Sequence, residues 1–390
     1  MMNNKWAYLV SALVISVCNS SFSQEPIPGT PVYEELEKVV VVSRHGVRSP
    51  TQSAETLASW SSRQWPNWGV EKGYLTPRGY RLVKGTWKQN SKISPFVFGQ
   101  CPNPNEVEII ADVDERTIKT AEAISEGLFP QCGIKVKVTS AKHSKLFSPL
   151  KAKVCKIKHP DSLAEKLTQN SKGVSEVYAQ EISLLNKVTE GNFSGEMVGH
   201  ASKHKVGLSG GPYYGSSFTE ILALEWGQWP DQIPGWGQMP WTEILKVMPL
   251  RVGVFSILNR DMEVARYKGS ALGAKIIESL EKADGPKYTF LVGHDTNLAN
   301  LGALFDLNWK QPDRMRNENV PGGYLTFEKW KVGDKEEIRV SYSALSPEQM
   351  HASEVTLPPV ETQILPKGVE FSQWVRHYRG RLDSRCIAND

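Results

Sequence analysis

The 390-residue chain contains no Cys-x-x-Cys pair, which removes the zinc-ribbon and thiol-redox readings. It contains no run of five or more basic residues. Its formal charge of +4 is scattered along the sequence, so a nucleic-acid partner is not expected. Its most glycine-rich stretch, GLSGGPYYGSS at 207–217, lacks the Gly-Lys-Ser/Thr ending of a nucleotide phosphate loop and reads as an ordinary loop. Beyond the first residues no segment is apolar enough to span a bilayer. What remains is an ordinary globular composition, 40% hydrophobic and 23% charged. The length allows one large α/β domain or two domains.

The first 23 residues read as a secretory leader: Lys5, then the apolar run WAYLVSALVISV at 6–17, then a small-x-small cleavage site at Ser21-Phe22-Ser23. Lipidation at Cys18 is disfavoured by the bulk of Val17. The mature chain is expected in the periplasm or outside the cell, with no membrane attachment and as a monomer. It keeps four cysteines, Cys101, Cys132, Cys155 and Cys386, an even number that in an exported protein indicates two disulfides. Arithmetic allows three pairings. Cys101 and Cys132 are the natural local pair, and closing that loop stabilises by about 3–4 kcal/mol in the chain-entropy model. Cys155 with Cys386 would then tie the middle of the chain to its end.

Three segments share one grammar: a short β-branched run, a polar loop, then a helical pattern. They are VVVV with SRHGVRSPT after Lys38, VEIIA with DVDERT from 107, and KYTFLV with GHDTN from 287. Continuous apolar runs separated by helices predict an α/β fold with a mixed, mostly parallel sheet flanked by helices. Ligands of such sheets bind beyond the carboxyl ends of the strands. All three units place charge there: Arg44, His45 and Arg48; Asp112, Asp114 and Arg116; His294 and Asp295. The pattern predicts an α/β domain from 24–150 and 260–390, interrupted at 151–259 by a mainly helical unit covering the ligand end of the sheet. Residues 263–283 read as an amphipathic helix, 322–331 as a late strand, and the tail after Pro347 as irregular.

Guanidinium forks match phosphate oxygens, so Arg44, Arg48 and Arg116 can surround one tetrahedral dianion. Burying that cluster without an anion is costly. A neutral His45 can attack phosphorus and carry the phosphoryl group, with the arginines lowering its pKa by like-charge repulsion. Asp295 is the acid placed to protonate the leaving alkoxide, its pKa raised by the bound phosphate. His294 would donate to the phosphoryl oxygens. The arginines supply the positive charge a metal would otherwise give, so neither metal nor cofactor is expected. His200 and His204, four residues apart, read as a solvated helix face rather than a zinc pair, since no third ligand is evident. Trp226, Trp229, Trp236 and Trp241 read as packing residues rather than a sugar platform.

RHGVRSPT and GHDTN, with DVDERTIKTAEA, EVAR and PGG between and after them, resemble the signature segments of the histidine acid phosphatases, branch 2 of the histidine phosphatase superfamily. Within it the chain is most similar to the bacterial periplasmic phytases and acid phosphatases, over about residues 35–386. The resemblance implies an α/β domain interrupted by a mostly helical one. It implies His45 as nucleophile, Asp295 as proton donor, and Arg44, Arg48, Arg116 and His294 as the phosphate pocket. Thr51, Gln52, Glu220 and Arg266 fall at positions that line the substrate cleft, and the disulfide pairs are Cys101–Cys132 and Cys155–Cys386. Metal-free hydrolysis at acid pH of a small phosphomonoester, phytate foremost, is implied. Two departures stand out: Gln52 lies where related phytases tend to carry lysine, and two further disulfides of those enzymes have no counterpart. Glucose-1-phosphatase or a broad acid phosphatase is the alternative on the same machinery. A cytoplasmic-type phosphotransferase or mutase sharing the first motif is disfavoured by the leader. A non-catalytic organophosphate binder would need the arginines but has no use for both His45 and Asp295.

Overall fold

The computed structural model describes residues 33–90 and 101–388. The expected leader therefore lies outside the described residues. Among the described residues nine strands are present: β1 Glu34–Arg44, β2 Val107–Ala111, β3 Val136–Val138, β4 Val198–Ser202, β5 Lys205–Ser209, β6 Tyr288–Gly293, β7 Tyr324–Val332, β8 Lys335–Ala344 and β9 Val360–Leu365. Seven form one sheet in the order β3-β2-β6-β1-β7-β8-β9; β4 and β5 form a separate hairpin. β3, β2, β6 and β1 pair in parallel, while β7, β8 and β9 continue in antiparallel fashion. Five of the seven strands thus run the same way, the mixed sheet expected from the sequence.

The four valines of β1 divide between the two faces because side chains alternate along a strand. Val39 and Val41 pack with Val83, Trp87, Ala121 and Ile124, from helices Pro77–Lys88 and Glu115–Leu128. Val40 and Val42 join the larger cluster with Leu272, Leu298 and Leu301, from helices Met262–Glu281 and Asp295–Leu304. All four are at most 1% exposed, each worth about 1.5–3 kcal/mol of apolar burial. The register brings the carboxyl ends level: Ser43 and Ala111 both face Val292, and Arg44 faces Gly293.

Helix Pro77–Lys88 clamps the loop after β1. A Cβ on Gly79 would lie 2.1 Å from the Val47 carbonyl oxygen, and one on Gly46 would lie 2.8 Å from Val83. The bare backbones let helix and loop touch. Cys101–Cys132 and Cys155–Cys386 are both bonded. Among the described residues, no helix is long and apolar enough to cross a membrane.

Residues 151–259 contain six helices and the β4–β5 hairpin. Three sequence expectations fail here and in the tail. GLSGGPYYGSS is not a loop: β5 ends at Ser209 and helix Gly211–Gln228 begins two residues later. Its glycines mark close approach, since a Cβ on Gly211 would lie 2.0 Å from the Ser194 carbonyl oxygen. His200 and His204 are not on a helix. His200 lies on β4 and His204 in the tight turn to β5, the two strands pairing antiparallel with Ala201 opposite Val206. The tail after Pro347 is not irregular: it supplies the short helix Pro347–His351, edge strand β9, and helix Phe371–Arg379, whose Phe371, Trp374 and Val375 are buried. The four tryptophans pack: Trp229 lies against Trp68, Trp236 against Phe218, Trp226 against both Trp241 and His351.

Glu225, on helix Gly211–Gln228, is 4% exposed and accepts a 2.8 Å hydrogen bond from the Gly235 backbone. Burial lifts its carboxyl to about 7 against the pull of that bond. The folded state therefore holds this proton above the ordinary carboxylate range, and its stabilising effect is lost as pH rises toward 7 and beyond. Glu225→Gln keeps the acceptor without the charge. It is expected to raise unfolding stability at pH 8, by up to about 3 kcal/mol, and to change little at pH 4. Urea unfolding at both pH values is the measurement; equal stability of variant and parent at pH 8 would overturn the assignment.

Candidate active site

The RHGVR loop is fixed by backbone bonds before any side chain is considered. Arg44 N donates to Gly323 O, His45 N to Gly293 O, and Gly322 N to His45 O. His45 is therefore held between β6 and the Pro321-Gly322-Gly323 turn. The residue is 2% exposed. Its Nδ1 lies 2.9 Å from the Gly46 carbonyl oxygen. A carbonyl only accepts, so Nδ1 carries the proton and Nε2 presents its lone pair. Burial, then Arg44, Arg48 and Arg116, lower its pKa well below the ordinary histidine value. It stays an unprotonated nucleophile in mild acid.

Arg44, fully buried, donates to Glu220 and to the Asn319 carbonyl oxygen. Arg48 donates to its neighbour Ser49 O. Burial, with Arg44 and Arg116 beside it, lowers its guanidinium to about 10, so it remains charged. Arg116 reaches from the first turn of helix Glu115–Leu128 to Asp114 at 2.8 Å and to His294 Nδ1 at 3.4 Å. The Nε of all three arginines is buried without a hydrogen-bond partner. Such groups are costly unless an anion offsets the concentrated charge.

His294 is the residue that precedes helix Asp295–Leu304, and Asn297 caps its backbone N. Its Nε2 lies 2.9 Å from Asp112 Oδ2. Although burial disfavours its charge, Asp112 is kept ionised by the bond to His294, so Nε2 donates and the ring orientation is set. Asp112, Asp114 and His294 bring their ligand atoms within 4.8 Å of one another, the one such group among the described residues. Their bonds to each other and to Arg116 already engage them.

Asp295 lies across the site. Its Oδ1 accepts from Thr296 N at 2.9 Å, and its Oδ2 lies 3.0 Å from Arg251 and 3.9 Å from Arg44. Burial favours its neutral form, but Arg44, Arg251 and Arg48 outweigh that and hold the carboxyl well below the usual range. Glu220, from helix Gly211–Gln228, bridges Arg44 and Arg251. Burial opposes its charge as well, and Arg44 and Arg251 keep it ionised. The result is a chain of alternating charge: Arg44, Glu220, Arg251, Asp295.

His45, Arg48, Arg116, His294, Asp295, Thr51, Gln52 and Glu220 all line one cleft of about 460 Å³. Arg44 lies behind it, bonded to Glu220. Glu220 is there as the counter-ion of two arginines rather than as a free substrate contact. Arg266, expected in the cleft, is not. It is exposed, and its charge acts on Asp383. Two residues further along the same helix, Lys268 lines the cleft instead, because a step of two turns a helix by about 200°. Sequence reasoning also missed Arg251. The signal was present: it is the only charge in the otherwise apolar stretch 247–259 of helix Trp241–Asn259.

A neutral imidazole at a strand end, ringed by guanidinium groups with a carboxyl opposite, is the equipment of a phosphoryl-transfer site. The protein is a phosphoric monoester hydrolase, and it belongs to the histidine phosphatase superfamily. Residues 35–203 match that superfamily's branch 2. The chain is 31% identical to phytase AppA of Escherichia coli, over 86% of this chain and 87% of that one. It is 26% identical to the glucose-1-phosphatase of Salmonella typhimurium, over 83% and 84%. Among solved structures it resembles the phytase of Hafnia alvei, with a TM-score of 0.83 and 26% identity over 93% of this chain and all of that one. The phytase of Citrobacter braakii is similar at a TM-score of 0.82 and 28% identity, over 92% and 100%.

Proposed function

We propose that the protein is an exported acid phosphatase acting as a phytase, removing phosphate from phytate through a phosphohistidine on His45. The observation that carries this reading is the free Nε2 of His45 inside the arginine cradle, with Asp295 across the cleft. Nε2 attacks phosphorus as the ester P–O bond breaks, and the leaving oxygen takes the Asp295 proton. Water then attacks the phosphohistidine; its proton passes to Asp295, the P–N bond breaks, and His45 returns neutral. Arg44, Arg48 and Arg116 hold the phosphoryl oxygens through both steps, beside His294, whose ring Asp112 orients.

Asp295 must be protonated in the first step, yet the free site holds it ionised. A bound phosphate offsets the charge of Arg44 and Arg48, the groups that keep its pKa down. Substrate binding thus raises the pKa of its own proton donor. Residues 151–259 form the inserted unit whose helices wall the cleft. Two disulfides and the leader-like first 23 residues support export.

Gln52 favours a second reading, a sugar-phosphate or broad acid phosphatase, because an uncharged side chain lines the cleft where a lysine would attract a polyanion. Phosphate release at acid pH, with chelator present and equal concentrations of phytate and glucose 1-phosphate, separates the two. A marked preference for phytate is the expected result. Equal rates, or preference for the sugar phosphate, would replace phytase with the second reading.

A further inference from the structure

The two proposed steps leave Arg251 without a part, although it is a wall of the cleft. It stands on helix Trp241–Asn259, and two of its three nitrogens are engaged. Its Nε bonds Glu220 Oε2 at 3.1 Å, and its Nη2 bonds Asp295 Oδ2 at 3.0 Å. The guanidinium carbon lies 4.3 Å from the centre of the Phe255 ring, one helical turn on, which fixes its plane. The side chain is 13% exposed, so water screens its pair with Asp295 only weakly. The other charged or titratable groups around Asp295 come from every neighbouring element. They are Arg44 of β1, Arg48 of the loop after it, adjacent His294, Lys268 of helix Met262–Glu281, and Tyr213 and Glu220 of helix Gly211–Gln228. Arg44 and Arg48 belong to the cradle, so a phosphoryl group offsets their charge for as long as it is bound. Lys268 is drawn to Asn259 Oδ1 at 3.1 Å. Arg251, closed on two carboxylates, keeps its hold on Asp295 whether or not the cradle is filled.

We infer that Arg251 is the positioning residue that keeps Asp295 ionised between the two steps, so that the carboxyl which gave up a proton can take one from water. The two steps ask opposite things of this group. It gives its proton to the leaving oxygen and next acts as a base, while the phosphoryl group stays in the cradle throughout. A buried carboxyl beside that anion would regain a proton from solvent and stall the second step. The bond from Arg251 favours the anion, as does the bond from Thr296 N to the other oxygen. Asp295 therefore stays a base. The water oxygen bonds phosphorus as its proton passes to Asp295; the P–N bond breaks, and the electron pair returns to His45 Nε2. Glu220 tempers the hold, because it shares both Arg44 and Arg251. Without it the two guanidinium groups would bear on Asp295 undivided, and the first step would lack its proton. The inference rests on the proposed roles of His45 and Asp295.

The test is the dependence of kcat on pH, with whichever of phytate and glucose 1-phosphate the parent hydrolyses faster. Both limbs report Asp295: the acid limb its protonation in the phosphoenzyme, the alkaline limb its ionisation in the substrate complex. Arg251→Gln removes a favourable charge at 3.0 Å, so both limbs are expected to move up by about one pH unit or more. On the acid side, turnover should slow by about tenfold for each unit of that shift. The phosphohistidine form, trapped by alkaline quench and read by mass spectrometry, should accumulate there. Arg251→Lys keeps the charge and should restore most of the parent profile. Glu220→Gln should move the limbs the opposite way, to lower pH, which a folding defect does not do. Where Arg251→Gln cannot be purified folded, the direction of that second shift decides. Limbs that stay in place would overturn the inference, as would a rise in KM alone, which marks Arg251 as a substrate contact. Failure of the underlying reading looks different: the parent's alkaline limb would survive in Asp295→Asn.

Discussion

Replacing His45 with alanine is expected to lower phosphate release from any ester by about 10³-fold or more, because no other group can form the covalent intermediate. The expectation follows from geometry. Nδ1 is committed to Gly46 O, which leaves Nε2 as the attacking atom, and alanine has no group to replace it. The arginines are untouched by the change. Inorganic phosphate and inositol hexakissulphate should still bind the variant within a few-fold of the parent. That pairing separates an enzyme from a binding protein, for which the same variant would simply resemble the parent. Turnover near the parent rate would overturn His45 as nucleophile. A loss of ligand binding together with activity would mean instead that the ring shapes the cradle.

The second large effect is expected at Asp295. Asn at this position keeps the acceptor for Thr296 N but cannot donate a labile acid proton. Phytate hydrolysis should fall by about 10²–10⁴-fold. p-Nitrophenyl phosphate, whose phenolate leaves without a proton, should fall far less. The pH profile sharpens the test. In the parent, kcat should decline as pH rises through the pKa of Asp295 in the substrate complex, because the ionised form is inactive as a donor. In the free protein Arg44, Arg251 and Arg48 hold that pKa low against burial, so the decline belongs to the complex alone. The Asn variant should lose this limb. Equal losses on both esters, or an unaltered limb, would move the donor role elsewhere. Retention of activity in acid follows from His45, whose pKa is lowered by burial and by the arginines, so it is not protonated where Asp295 is.

Much of the site was readable before any fold was known, and the reason is local. Strand-end loops carry their chemistry in contiguous letters, as in Arg44-His45-Gly46-Val47-Arg48 and His294-Asp295, and the apolar runs before them reveal the strands. Residues that reach the cleft from helices were harder to find. Arg251 is the one charge in the 247–259 stretch of its helix, and its partners Glu220 and Asp295 lie 31 and 44 positions away. Arg266 and Lys268 show the limit of motif matching. Helical periodicity sorts them, since Lys268 shares a face with buried Val264 and Leu272, whereas Arg266 follows exposed Met262. The glycines of 207–217 misled because glycine allows both looseness and close contact, and only the neighbouring 193–197 segment shows which applies. The tail was misjudged because its strand borrows order from β8, which pattern alone does not supply.

The pairing of β1 with β6 also has a consequence in time. His45 and Asp295 stand 250 positions apart in the sequence, yet the nucleophile is seated only when Gly293 and the Gly322-Gly323 turn are in place. Cys155–Cys386 then joins segments 231 positions apart. A growing or half-threaded chain therefore carries the complete RHGVR loop while lacking any catalytic power. Such long-range closure is slow and comes late in folding. Activity appears as an all-or-none property of the finished chain, and phosphate esters met along the way are left intact.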